Sequence, residues 1–158
     1  MARPKKTPEE IADDDARTIP MALFNTAEAF WLSAAALEKA NVRSGFASKP
    51  IYVLYYHAIE LYLKAYLRQF YGINHLANQF GHNTEKLANR GVELGLFLTK
   101  RDKALARVIS QDNGVVRARY PRQGAISLPV FDELESSCRR IRLRVGKKLR
   151  RGGVMVRL

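Results

Sequence analysis

The chain has 158 residues, a length that suits one domain built on a single core and leaves little room for a second. Its 27 Lys and Arg against 15 Asp and Glu give a formal charge of +12, which favours anionic partners, nucleic acid first among them. The single cysteine, Cys138, excludes an intrachain disulfide and a cysteine-based zinc site. With no run of 18 apolar residues and charges and prolines near Met1, the expectation is a cytoplasmic protein, neither exported nor membrane-spanning.

Residues 1–20, MARPKKTPEEIADDDARTIP, hold too few apolar residues to pack and are expected to form a flexible arm. A helical domain over 21–151 follows. Asn25 with Glu28 resembles a capping box, and Phe30, Ala34, Leu37 and Asn41 track one face of a first helix over 25–42. Ser48 and Pro50 start a second helix that runs to about Tyr71, where Gly72 stops it before a polar loop, INHLANQFGHN. A third helix begins at Asn83 or Thr84, with Leu87, Gly91, Leu94 and Leu98 on one side. The four-residue spacing of Gly91 and Gly95 suggests close backbone approach. Thr99 with Asp102 restarts or continues a helix to Gln111, and Asp112-Asn113-Gly114 stops it. Residues 115–128 have no helical period and read as a long extended connection. Pro129 opens the last helix, whose Leu134, Cys138, Ile141, Val145 and Leu149 form an apolar seam, and residues 152–158 form a tail that either frays or contacts a partner. Strand signals are few. The expected fold is all-α, an antiparallel up-and-down bundle of four to five helices.

On the second helix, His57, Glu60, Lys64 and Arg68 fall within an arc of about 80° because each lies one turn from the next. The other sides carry Tyr, Leu and Ile, so this helix must be covered nearly all round. The stripe is then either an exposed edge with a Glu60–Lys64 pair, or the lining of a cleft formed by His57, Glu60 and Lys64. Metal binding is poorly supported, since His57, His75 and His82 are the only histidines and His57 with Glu60 offers at most two ligands on a face. Cys138 sits on the seam as a small hydrophobe. There is neither a nucleophile elbow nor a glycine-rich phosphate loop, and no cofactor is expected.

From Arg139 to Arg157 nine basic residues occur without an acidic one, among them Arg139, Arg140, Arg142, Arg144, Lys147 and Lys148. Uncompensated like charges repel, a cost that a bound polyanion removes, and arginine suits bidentate phosphate contacts. Arg117, Arg119, Tyr120 and Arg122 mix cations with an aromatic, as single-stranded nucleic acid requires; alternatively, Tyr120 and Pro121 pack the loop and the arginines are solvated.

H-A-I-E-L-Y-L-K-A-Y-L on a central helix, followed by G-H-N-x-E-K-L at the start of the next, resembles the HEPN domain family. The R-Y-P of Arg119 to Pro121 is similar to some bacterial members, and the resemblance covers roughly Phe24 to Arg151. It implies a helical bundle, usually a homodimer, that binds RNA or nucleotides. Many members are metal-independent ribonucleases and toxins, often paired with a nucleotidyltransferase-type antitoxin. Their usual catalytic motif, an Arg followed four to six residues later by a His in the last helix, is missing, because no His follows His82. Arg68 and His75 have six residues between them, but Gly72 interrupts the helix there. The leading expectation is a catalytically degenerate member of a toxin–antitoxin or defence system that binds RNA or a nucleotide. One alternative is a metal-independent endoribonuclease with a rearranged site drawn from Arg68, His75 and His82. The other is an interaction module for an acidic protein.

Overall fold

The computed structural model describes residues 6–42, 48–111 and 129–158, and among these the regular structure is entirely helical. In order come α1 (Pro8–Arg17), α2 (Pro20–Ala40), α3 (Ser48–Leu67), α4 (Ile73–Gln79), α5 (Thr84–Glu93), α6 (Lys100–Gln111) and α7 (Phe131–Arg151). The all-α expectation holds. The expected four to five helices become seven among the described residues because α1 lies in the presumed arm and α4 in the presumed polar loop.

α3 is the central rod, with Tyr55, Tyr56, Ile59, Tyr62, Leu63 and Leu67 at most 1% exposed. Four of its tyrosines pack their rings on the core, Tyr52 only partly buried, and spend their hydroxyls on neighbouring segments. Tyr52 donates to the carbonyl of Pro129 (2.7 Å), Tyr55 to Glu38 (3.1 Å), Tyr62 to Glu28, and Tyr66 to the carbonyl of Leu94 (2.6 Å). The pairs Tyr55–Glu38 and Tyr62–Glu28 set α2 antiparallel to α3. α7 runs with α3, since Tyr52 meets Phe131 at one end and Gln69 lies against Gly152 at the other. On α7, Leu134, Cys138, Ile141, Val145 and Leu149 are all buried, as their spacing predicts.

Caps decide the other boundaries. α2 starts at Pro20, five residues before Asn25, because a proline in the first turn costs no hydrogen bond; Asn41 ends it with φ 46°. Only Gly91 of the glycine pair serves close packing, since a Cβ there would lie 3.2 Å from Leu96. Gly95 instead takes φ 93° in a Schellman turn, with Leu96 N–H donating to the Gly91 carbonyl at 2.8 Å. Gly153, at φ 84°, turns the chain after α7 in the same way. The segment beyond it folds back, burying Val156 and accepting a 2.8 Å bond from Arg150 Nε at the Val156 carbonyl.

Residues 8–17 correct the expectation of an arm without structure. Thr7 and Glu10 form a reciprocal capping box, and although α1 buries no residue, its end is tied to α3. Arg68 donates to the carbonyls of Asp15 (2.8 Å), Thr18 (2.9 Å) and Tyr71 (3.1 Å), and its guanidinium lies 3.2 Å from the Asp15 carboxylate. Asp15 also accepts from the Ile73 N–H at 2.7 Å, capping the start of α4. Polar docking of this kind leaves no hydrophobic signature. Arg68→Met is expected to raise amide exchange in α1 by about ten-fold while the core amides change little, because charged hydrogen bonds are each worth about 1.5–3 kcal/mol. Hydrogen-exchange mass spectrometry checks this.

Candidate functional site

Three of the sequence-selected residues meet at one point. Glu60 sits mid-way along α3 with a side chain only 1% exposed, and it pairs with Lys64 at 2.6 Å, one turn on. A buried carboxylate needs such partners. The second is His82, whose Nδ1 lies 3.0 and 3.2 Å from the two carboxylate oxygens. Local sequence delivers it there: Gly81, at φ 52°, turns the chain out of α4, and Asn83 accepts from the Lys86 N–H at 2.9 Å to cap α5. His82 stands between the two and remains 52% exposed in its side chain. Because a carboxylate only accepts, Nδ1 carries the shared proton, and Nε2 is the ring atom left for other chemistry.

The remaining members of the stripe go elsewhere. His57 packs edge-on against Phe30 of α2, with ring centroids 4.4 Å apart. Arg68 is committed to α1. His75 stacks on Tyr71 at 4.8 Å with nearly parallel rings, while Arg90 donates to the Tyr71 hydroxyl at 2.6 Å. The stripe thus holds one buried carboxylate, paired with Lys64 and His82, while Arg68 is spent on α1.

The last-helix arginines depart most from expectation. The run lacks acidic residues of its own, but α2, α6 and the first turns of α7 supply them. Arg142 makes a bidentate pair with Glu28 and lies 5.0 Å over the Trp31 ring. On another flank, Arg140 and Arg144 both reach Asp102 at 2.9 Å. Arg140 adds Glu133 at 3.1 Å, and Arg139 pairs with Glu135 at 2.9 Å. Asp102 is fully buried; burial alone would raise its carboxyl, but the hydrogen bonds from Thr99 and the guanidinium of Arg140 outweigh it and hold it below its ordinary value. Arg140, Arg142 and Arg144 tie α7 to α6 and α2 while Arg139 pairs within α7, so these four arginines, expected to be uncompensated, have carboxylate partners. Lys147 is exposed, and Lys148 approaches Gly95. Arg117, Arg119, Tyr120 and Arg122 lie outside the described residues.

Burial pushes the Cys138 thiol and the Tyr62 phenol well up, the latter helped by its bond to Glu28, so neither is a ready nucleophile or base. Among the described residues, no group of three or more His, Cys, Asp or Glu side chains is placed to hold a metal ion, and no helix is long and apolar enough to cross a membrane. Sequence reasoning missed Glu28 and Asp102 as arginine acceptors. Thr99 followed by Asp102 was visible as the restart or continuation of a helix, but such a signal does not announce that Asp102 also receives two arginines from a helix some 40 residues away. Comparison with protein-family models, with curated proteins and with solved structures gave no match.

Proposed function

We propose that the chain is a HEPN-like helical-bundle protein that binds RNA or a nucleotide and is catalytically degenerate, acting as a homodimer. The observation that supports this is the half-exposed His82, held at Nδ1 by buried Glu60 and flanked by Lys64. An imidazole fixed in this way presents one nitrogen toward an incoming phosphate, and the +12 charge of the chain draws such a ligand in. Labelled RNA in EDTA tests the reading. Binding without cleavage is expected, with His82→Ala weakening it about ten-fold, the loss typical of one charge-assisted contact. Binding that ignores His82→Ala sinks the role given to the histidine.

One feature favours a second reading, the metal-independent ribonuclease. A buried carboxylate that orients a histidine through Nδ1 is how general acid–base catalysis is commonly arranged. Nε2 of His82 would take the proton from a ribose 2′-hydroxyl as its oxygen attacks the adjacent phosphorus, with the P–O5′ bond breaking. Cleavage in EDTA that disappears in His82→Ala would move the assignment to this reading.

A further inference from the structure

We propose that the groove between α5 and α6 carries the sugar–phosphate backbone of single-stranded RNA, with Phe97 beside it as a stacking surface for a base. The proposal rests on the RNA-binding reading above and adds where the strand lies. The groove has a volume of about 340 Å³ and is lined by Glu85, Asn89, Lys100, Lys103, Ala104 and Arg107. Lys100, Lys103 and Arg107 are spaced three and four apart, so they stand in a row on one face of α6 for about 10 Å. Ala104 keeps the floor low between them.

The contrast with α7 carries the argument. There, Arg139, Arg140, Arg142 and Arg144 each have a carboxylate partner. In the groove Lys100 and Lys103 are exposed and make no ion pair with any described residue, whereas Glu85, the one acidic lining residue, is taken up by Arg107 at 2.9 Å. Cations that no carboxylate neutralises gain most from a polyanion, because each phosphate contact releases condensed counterions. Asn89 adds amide donors and acceptors for sugar or base edges.

Phe97 is the second, independent observation. It is 68% exposed, and it precedes Lys100 by three residues, which keeps its Cα within about 10 Å of the Lys100 Cα at the start of α6. The Arg144 guanidinium sits 4.6 Å over this ring. An exposed aromatic at the start of a helix whose side carries unpaired lysines supplies the two kinds of contact by which single strands are held, phosphates on Lys and Arg and bases on the ring. A folded acidic protein would need neither the row spacing nor the ring.

The test uses the full chain and a fluorescein-labelled oligouridine, titrated in EDTA at several KCl concentrations. Lys100→Ala with Lys103→Ala is expected to weaken binding at least ten-fold at low salt and to reduce the slope of log Kobs against log salt by about 1.4, at about 0.7 per phosphate contact. Phe97→Ala is expected to lower affinity several-fold with the slope unchanged. Arg17→Ala with Lys39→Ala removes the same charge elsewhere and is expected to change neither. These side chains are exposed, and an unchanged circular dichroism melt shows that each variant folds. If the wild type binds RNA and the lysine pair behaves like the Arg17/Lys39 control, the groove assignment fails while the RNA reading stands. If the wild type binds no RNA, both fail. Equally tight, groove-dependent binding of polyglutamate overturns the RNA assignment in favour of an acidic protein.

Discussion

Asp102→Ala lowers the unfolding free energy by about 3–5 kcal/mol, the range for deleting one partner of a buried charged network. The carboxylate is fully buried between Arg140 and Arg144 and also closes the capping box with Thr99, so one change strips Arg144 of its carboxylate, leaves Arg140 only Glu133, and opens the start of α6. Urea denaturation followed by circular dichroism measures the loss. Replacing Arg140 and Arg144 by Met together with Asp102→Leu is expected to recover most of it, since a buried ion network contributes little beyond an apolar one of the same shape. A near-neutral Asp102→Ala would show that water reaches the site freely. The same carboxylate predicts acid sensitivity. Its folded-state value is held below the ordinary 3.8, so the stability it contributes is present above the unfolded value and drains as pH falls through the folded one. Asp102→Asn is expected to flatten the fall in melting temperature below about pH 4. The binding consequence follows directly. Reversing the charge of Arg140 or Arg144 disturbs folding before it reports on RNA, and a loss of RNA affinity in such variants has to be judged against their melting curves.

Glu60→Ala is the second large effect, about 2–4 kcal/mol, because it leaves Lys64, 12% exposed, beside an empty site in the middle of α3. Glu60→Gln keeps the shape and an acceptor and is expected to cost about 1–2 kcal/mol, while releasing His82 from its charge-assisted hold. Thermal melts separate the two variants in stability. RNA titration of Glu60→Gln then reads the functional part, with a loss close to that of His82→Ala expected if Glu60 acts by positioning the ring. A Gln variant that binds like wild type would make Glu60 purely structural.

Much of the fold could be read in advance. The seam on α7 and the all-round apolar surface of α3 follow from the period of the helix, and burial obeyed it. The start of α5 at Asn83–Thr84 and the helix restart at Thr99–Asp102 were visible because caps are local chemistry. The two short helices were not. α1 and α4 are held by Arg68 and Asp15, and a contact between a guanidinium and carbonyls some 50 residues away leaves no period in the chain. The candidate site divides in the same manner. Glu60 and Lys64 share a face by spacing alone, but that His82 closes on them depends on the turn at Gly81 and the path of α4.

What the amino-acid order determined by itself is the kind of protein: helical, with one core and a surplus of positive charge, since periodicity and composition are properties of neighbouring residues. Which of those charges are free was decided only by the folded arrangement. Asp102 and Glu28 reach the arginines of α7 from other helices and neutralise them, whereas Lys100 and Lys103 meet no carboxylate among the described residues. The electrostatic environment of a side chain depends on everything within a few ångströms, and only the packing of distant segments sets that.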